Sequence, residues 1–208
     1  MKILIATGNA GKAREFREML GEEGIEWSSL LDQPSPPNVE ETGTTFRENA
    51  CLKAAAYARH YATWTLADDS GLAVDALDGR PGVTSARWAE LHSAGRGDAD
   101  NNALLLRQLA DVPDGRRMAR FVCVLALANS AGVIVLTAED AVAGRIIDEP
   151  RGSNGFGYDP LFLLPELGKT TAELEPGQKH AISHRGKALR RLRELMRRVG
   201  LHRESPGS

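Results

Sequence analysis

The segment "LADDSGLAVDAL", residues 66–77, places two adjacent aspartates directly after a short apolar run. Burying a carboxylate is costly unless it is paired, and an ordinary turn needs only one aspartate. Asp68 and Asp69, followed by Ser70, therefore indicate either dense turn chemistry or a site that holds a cation. Because successive side chains of a regular strand point to opposite faces, we expect one aspartate to be catalytic or metal-binding and the other to brace the loop.

A second pair of acids stands in "VEETG", where Glu40 and Glu41 precede an alanine-rich segment. One of them can serve the dipole of the following helix, and the other can reach a metal. Mg²⁺ prefers one or two carboxylates together with waters and phosphate oxygens, which a Glu41–Asp69 pair would satisfy. A loop rich in Asx turns explains the same aspartates without a metal, so both interpretations stay open at this point.

The segment "TGNAGK", residues 7–12, combines a strand end, a tight turn and a helix start that carries a lysine. Free backbone N–H groups and the helix dipole suit a phosphate there. It is not a P-loop, because Ala6 and Ala13 stand where that motif needs Gly and Ser or Thr. Taken alone, an ordinary turn with a solvated Lys12 is favoured. Lys53, four residues after Asn49 and on the same helix face, is either solvent-exposed or points at the same anion.

Two later segments offer contacts for a nucleotide. In "GSNGFGYDP", glycines allow close approach to a flat ligand, and Phe156 or Tyr158 can stack on a base; the alternative is a tight turn capped by core aromatics. In "KHAISHRGKAL", the donors Lys179, His184 and Arg185 gather at a helix start. They form either a solvated basic face or a grip on a triphosphate and the polar edge of a base.

Other chemistries fit the sequence less well. Ser70 with His184 as base lacks a G-x-S-x-G elbow, and His180 with His184 lacks a third zinc ligand. The net charge of −2 gives no positive field for a nucleic-acid polymer. The chain has only two cysteines, and it contains no stretch that suggests a signal peptide or a membrane span. We therefore expect a cytoplasmic, reduced protein that binds a small molecule.

The elements that must position these residues alternate between strands and helices. Residues 2–7 and 25–31 read as strands, with Asn9 as the N-cap of a helix between them. Thr45 and Glu48 form a capping box that opens a helix to about residue 59, and the strand at 63–67 delivers the aspartates.

The second half of the chain continues this mixture. Residues 78–89 read as a surface loop, residues 103–109 as a helix, and residues 120–128 and 132–147 as a hairpin. An amphipathic helix over residues 183–199 is expected to bury Ala188, Leu192, Leu195 and Val199, and the tail 202–208 is expected to be disordered. The pattern predicts the α/β class, with one domain over residues 1–201.

Together the motifs supply an anion-binding turn, paired acids, an aromatic glycine-rich loop and a basic cluster. At this level the chain resembles the inosine triphosphate pyrophosphatase family, on the segments "ATGNAGK", "EETGTTFRENACLKA", "ADDSGLAVDALDGRPGVTSAR", "GFGYDP" and "KHAISHRGKAL". These segments span nearly the whole chain in order. That family hydrolyses purine nucleoside triphosphates with non-standard bases (ITP, dITP and XTP) to the monophosphate and pyrophosphate.

The resemblance implies a long, curved mixed β-sheet flanked by helices, two lobes with an active-site cleft between them, a homodimer and a requirement for Mg²⁺. It implies that Asp69 is the general base and, with Glu41, binds the metal, so that "ADDSG" becomes the catalytic end of a strand. The implied substrate contacts are Thr7, Gly8, Asn9, Ala10, Gly11, Lys12, Lys53, Ser70, Phe156, Gly157, Tyr158, Asp159, Lys179, His184 and Arg185. Two alternatives remain: a pyrophosphatase for other modified nucleotides, and a nucleotide-binding protein without turnover.

Overall fold

A computed structural model describes residues 1–21 and 24–201, in which strands and helices alternate as an α/β fold. The strands are β1 (Lys2–Ala6), β2 (Glu26–Ser29), β3 (Trp64–Val74), β4 (Met118–Ala128), β5 (Ile134–Ile146), β6 (Phe162–Leu164) and β7 (Lys169–Thr170). The α-helices are α1 (Ala10–Met19), α2 (Phe46–Tyr61), α3 (Trp88–Leu91), α4 (Asp98–Gln108), α5 (Pro176–Ile182) and α6 (His184–Arg198). The expected tail, 202–208, lies outside the described residues.

The strands form one seven-stranded sheet in the order β2-β1-β3-β4-β5-β6-β7. β1 pairs in parallel with both β2 and β3, whereas β6 pairs antiparallel with β5 and β7. The sheet is therefore mixed, as expected. By its contacts the chain divides into two compact units. Of the described residues, unit 1 comprises those in 1–69, 123–140 and 186–201, and unit 2 comprises residues 70–122 and 141–185.

Strand β1 shows how unit 1 sorts its side chains. Ile3 and Ile5 are buried in one cluster with Phe16 of α1 and with residues of α6, whereas Leu4 and Ala6 are buried in another with α2. This alternation follows from the two-residue period of a strand, and a strand covered on both faces reads as a continuous apolar run. The position of a residue in β1 therefore determines whether its side chain faces α1 and α6 or faces α2.

Helix α2 confirms the predicted capping box. The Thr45 side chain accepts from the Glu48 backbone, and the Glu48 carboxylate accepts from the Thr44 and Thr45 backbone N–H groups at 2.8 and 3.0 Å. These bonds lower the pKa of Glu48 below its usual range. The acid at this helix start is therefore Glu48, and neither Glu40 nor Glu41 is needed for the dipole. Alanines at 50, 54 and 58 are fully buried and let α2 approach the sheet closely.

Strand β3 differs from the prediction in length. The sequence ends this strand at residue 67, but the structure continues it to Val74, so Asp68 and Asp69 lie in its middle and not at its end. The pairing with β1 does stop nearby, because Ala6, the last residue of β1, lies opposite Ala67. The strand continues because Leu72 and Val74 are fully buried in the core of unit 2. The two aspartates before them give no indication of this burial in the sequence.

The predicted surface loop at 78–89 is wrong in part. Its chain turns through 3₁₀ helix into α3, and Ser85, Trp88 and Ala89 are buried. The Trp88 indole N–H donates to Gln108 of α4 at 2.9 Å, so the polar edge of this buried ring has a partner. The helix expected at 103–109 begins earlier, at Asp98.

The predicted hairpin is confirmed, because β4 and β5 are sheet neighbours joined around Asn129. Helix α6 buries Ala188 and Leu192 as expected, with Leu189 and Met196 in addition, whereas Val199 lies beyond its end and is 55% exposed. Within residues 1–21 and 24–201, every helix is too short or too polar to cross a membrane.

Candidate active site

The anion-binding turn sits where β1 passes into α1. Asn9 is the N-cap, as predicted, since its side chain accepts from the Lys12 backbone N–H at 3.0 Å, and the Thr7 hydroxyl accepts from the Asn9 N–H at 3.2 Å. Gly8, Asn9 and Ala10 are exposed. The turn therefore presents an open helix N-terminus, where the dipole favours negative charge.

Lys12 is not the solvated lysine of an ordinary turn. Its ammonium group lies 3.0 Å from a carboxylate oxygen of Asp68, and the exposed fractions of the two side chains are 15% and 0%. Asp68 follows Leu66 by two residues, so it shares the sheet face that is covered by α1. The alternation of the strand thus selects which aspartate meets Lys12.

Asp69 points to the opposite face and meets α2. Lys53 donates to Asp69 Oδ1 at 3.0 Å and to Glu41 Oε1 at 2.9 Å, and the lysine side chain is only 12% exposed. Asn49, one turn earlier on α2, places its Nδ2 3.4 Å from Asp69 Oδ2. The two aspartates therefore have separate partners, and Asp69 belongs to the group that contains Glu41 and both α2 side chains.

Burial and charge act in opposite directions within this group. Burial raises the pKa of Asp69 above its usual value, although Lys53 and Lys12 pull it downward. Burial lowers the pKa of Lys53, but attraction to Asp69, Asp68 and Glu41 outweighs it, so this pKa is raised as well. A simple ion pair would lower the carboxylate pKa, so desolvation dominates at Asp69. The result is a protonated lysine beside a carboxylate whose basicity is increased.

Glu41 and Asp69 also fit a magnesium ion. They are arranged around a cation, because one ammonium group lies within hydrogen-bond distance of both carboxylates. In the described part of the chain, no three or more His, Cys, Asp or Glu side chains gather as a metal-binding group. Two carboxylates completed by water and phosphate oxygens are the donors that Mg²⁺ accepts. The residues present therefore suit Mg²⁺ better than a metal that needs a full set of protein ligands.

In unit 2, the glycine-rich loop is organised by Asp159. One of its oxygens accepts from Lys179 at 2.6 Å and from the Phe156 N–H at 2.8 Å, and the other accepts from the Thr171 hydroxyl at 2.8 Å. Gly155 has a φ of +79°, and a Cβ there would lie 2.0 Å from Asp159 Oδ2. Glycine is therefore required at this position both by the backbone and by the close approach of the carboxylate.

The two aromatic rings of the loop have different environments. Tyr158 is packed in the core of unit 2 and donates to the Ser85 carbonyl at 2.9 Å, which matches the alternative of a core aromatic. Phe156 is only half-buried. Lys179 Nζ and Arg185 Cζ lie 5.2 and 5.8 Å from the centre of its ring. Phe156 is thus the ring that a base can stack on.

The basic cluster is not a solvated face. Lys179, His184 and Arg185 are 5%, 7% and 1% exposed. Arg185 donates to the Ser70 hydroxyl at 2.7 Å, and the His184 ring stacks on Phe121 with centroids 4.9 Å apart. The structure therefore brings Ser70, Phe156, Asp159, Lys179 and Arg185 together in unit 2, as it brings Lys12, Glu41, Lys53 and the aspartates together in unit 1.

Several residues of these groups carry no role in the sequence-based prediction. The sequence does place Asn49 on the same helix face as Lys53, four residues away. That spacing alone does not show that Asn49 contacts Asp69. The sequence gives no such indication for Thr171 and Asp98, because each contacts a loop that is distant in sequence. Asp98 Oδ2 accepts from the Gly157 N–H at 2.6 Å.

The seven-stranded sheet makes this an α/β protein, and the open helix N-terminus after β1 suits a phosphorylated ligand. The chain belongs to the Ham1 family, which it matches over residues 3–195. The predicted resemblance is thereby confirmed. Among relatives, a dITP/XTP pyrophosphatase of Exiguobacterium sibiricum is 55% identical over 192 residues, which cover 92% of this chain and 95% of that protein.

Solved structures agree with this assignment. A HAM1 protein from Coxiella burnetii is 40% identical and superposes with a TM-score of 0.83, covering 95% of this chain and 99% of that one. A nucleoside-triphosphatase described as a dITP/XTP pyrophosphatase, from Mycobacterium abscessus, is 48% identical with a TM-score of 0.73, covering 92% and 98%.

Proposed function

We propose that this protein is a dITP/XTP pyrophosphatase, which hydrolyses ITP, dITP and XTP between the α- and β-phosphates and releases the monophosphate and pyrophosphate. The observation that carries the proposal is the buried group in which Asp69 and Glu41 share the Lys53 ammonium. The names of the relatives support the substrate, since proteins about half identical to this chain over more than 90% of its length are described as dITP/XTP pyrophosphatases.

Asp69 is the proposed general base. It would take a proton from a water that attacks the α-phosphorus in line, while the bond to the pyrophosphate oxygen breaks. Burial raises the pKa of this carboxyl, which increases its basicity, and Lys53 at 3.0 Å favours the ionised form that a base needs. Asp68, held by Lys12 on the other face of β3, is the aspartate that we assign to a bracing role.

The charge of the polyphosphate is assigned to the groups of unit 1. The turn from Thr7 to Lys12 offers backbone donors and a helix N-terminus, and Lys12 and Lys53 add two positive charges. Glu41 and Asp69 would hold Mg²⁺, which when bound neutralises phosphate charge and stabilises the departing pyrophosphate. Fixed charges of this kind act most strongly where water is excluded.

The base is assigned to groups of unit 2. Phe156 would stack on the purine, flanked by the positive groups of Lys179 and Arg185. An arginine can donate hydrogen bonds but cannot accept them, so Arg185 would favour the 6-oxygen of hypoxanthine or xanthine over the 6-amino group of adenine. Ser70, Gly157, Asp159 and His184 complete the proposed contacts.

We also propose that the protein is a homodimer and that it acts in the cytoplasm, as the resemblance to the family suggests. Light scattering of the purified protein at micromolar concentration would give the mass of two chains if the dimer forms, and the mass of one chain if it does not.

A panel of nucleotides with Mg²⁺ tests the function. Pyrophosphate release should be rapid from dITP and XTP and slow from dTTP and UTP, with Asp69→Asn as the matched inactive control. Faster release from the pyrimidine nucleotides would indicate a pyrophosphatase for other modified nucleotides. Tight binding of dITP without release would indicate a nucleotide-binding protein.

A further inference from the structure

Two side chains of α4 hold the backbone of one residue in the glycine-rich loop. The Asp98 carboxylate accepts from the Gly157 N–H at 2.6 Å, and the Asn102 amide donates to the Gly157 carbonyl at 3.0 Å. The two side chains are four residues apart and therefore share a helix face. We propose that Asp98 and Asn102 are positioning residues that fix the Phe156 ring for base stacking, an inference that rests on the proposed function.

The loop needs such a support because Phe156 lies between two glycines whose backbone is in the left-handed region. Gly155 has a φ of +79° and Gly157 a φ of +63°. Glycine adopts many other conformations at little cost, so neither residue fixes the direction of the ring by itself. On the Gly155 side, the Phe156 N–H is held by Asp159 at 2.8 Å. On the Gly157 side, the support comes from α4.

The orientation of the Asn102 amide supports this role. Its Oδ1 atom is buried and has no hydrogen-bond partner among residues 1–21 and 24–201. A buried acceptor without a partner is costly. Turning the amide over would bring Oδ1 against the Gly157 carbonyl, and two acceptors would then face each other. The side chain is therefore held in the orientation that serves Gly157, although one of its own atoms stays unsatisfied.

Asp98 has a second effect that a test must separate from positioning. It lies in the first turn of α4, where its negative charge also stabilises the helix dipole. Asp98→Ala removes the charge and the acceptor together. Asp98→Asn removes the charge but keeps an oxygen that can accept from the Gly157 N–H. If Asp98 positions the loop, Asp98→Ala should impair base binding more than Asp98→Asn does. If Asp98 only stabilises the helix through its charge, both substitutions should have the same effect.

The first measurement compares calorimetric dissociation constants for inosine monophosphate and for inorganic pyrophosphate. Asp98→Ala and Asn102→Ala should each weaken inosine monophosphate about five- to tenfold, the effect of one net hydrogen bond, and leave pyrophosphate unchanged. Asp98→Asn should restore most of the loss. Asp111→Ala, at an exposed acid beyond the end of α4, is the matched control and should change neither constant.

The second measurement does not depend on any nucleotide. Amide hydrogen exchange of a peptide covering residues 155–159 should become faster in Asp98→Ala and stay near the wild-type rate in Asp98→Asn and Asp111→Ala. Unchanged exchange in Asp98→Ala, or equal weakening of both ligands, would overturn the inference. A wild-type protein that neither binds inosine monophosphate nor hydrolyses dITP would overturn the proposed function, whereas the exchange rates would still report on the contact between α4 and the loop.

Discussion

Asp68 and Asp69 offer a matched pair of substitutions, because two adjacent aspartates receive the same change to asparagine. Asp69→Asn keeps the shape of the side chain and leaves Lys53 its contact with Glu41 at 2.9 Å. It removes the proposed base, whose contribution is typically a factor of about 10² to 10⁴. We therefore expect kcat for dITP to fall at least about 100-fold, equivalent to about 2.7 kcal/mol of transition-state stabilisation, with a smaller change in KM.

Asp68→Asn should lower the free energy of unfolding and leave kcat nearly unchanged. Its side chain is completely buried against Lys12, so the substitution leaves that lysine without its partner at 3.0 Å. Breaking a buried pair costs about 3–5 kcal/mol, and we expect less, up to about 3 kcal/mol, because Lys12 keeps some access to solvent. Asp69→Asn should cost little stability, since burial already disfavours the ionised form of that aspartate.

The assay is steady-state release of pyrophosphate from dITP with Mg²⁺, combined with urea unfolding of each variant. We expect Asp69→Asn to lose turnover and keep its stability, and Asp68→Asn to lose stability and keep its turnover. Near-normal turnover in Asp69→Asn together with an inactive but folded Asp68→Asn would show that the two roles are reversed.

Three further results are expected. Lys12→Ala and Lys53→Ala should each weaken ITP more than inosine monophosphate in calorimetry, and equal losses would mean that these lysines do not contact the β- or γ-phosphate. Arg185→Ala should reduce the ratio of kcat/KM for ITP to kcat/KM for ATP, whereas Phe156→Ala should lower kcat/KM for both substrates. An equal loss of kcat/KM for ITP and ATP in Arg185→Ala would mean that other residues recognise the base. The native state binds the Asp69 proton more strongly than the unfolded state, because burial raises this pKa. In metal-free buffer, the free energy of unfolding of the wild type relative to Asp69→Asn should therefore fall as pH rises from the ordinary aspartate pKa through the raised value, and a constant difference in urea unfolding across that window would contradict the shift.

Features encoded by neighbouring residues could be predicted from the sequence. The capping box of Thr45 and Glu48 and the N-cap at Asn9 each depend on atoms three residues apart, so the pattern contains all the partners. The length of β3 could not be predicted in this way. Asp68 and Asp69 interrupt an apolar run and look like a strand end, whereas lysines on two different helices neutralise them inside the strand.

Contacts between residues distant in sequence also determine the structure of the glycine-rich loop. The composition predicts a tight turn whose aromatic rings either stack on a base or pack in the core, and it does not say which ring does which. The burial of Tyr158 depends on the Ser85 carbonyl, and the support of Gly157 depends on α4. Neither partner is marked by spacing or residue type, because their proximity is created by the packing of unit 2.

The position of the cleaved bond distinguishes a pyrophosphatase from an enzyme that removes the terminal phosphate. Hydrolysis of dITP in ¹⁸O-labelled water, followed by mass spectrometry of both products, shows which phosphorus the water attacks. Attack at the α-phosphorus, with Asp69 as base, predicts one ¹⁸O atom in the deoxyinosine monophosphate and none in the pyrophosphate. Label in the pyrophosphate, or release of inorganic phosphate in its place, would contradict the account.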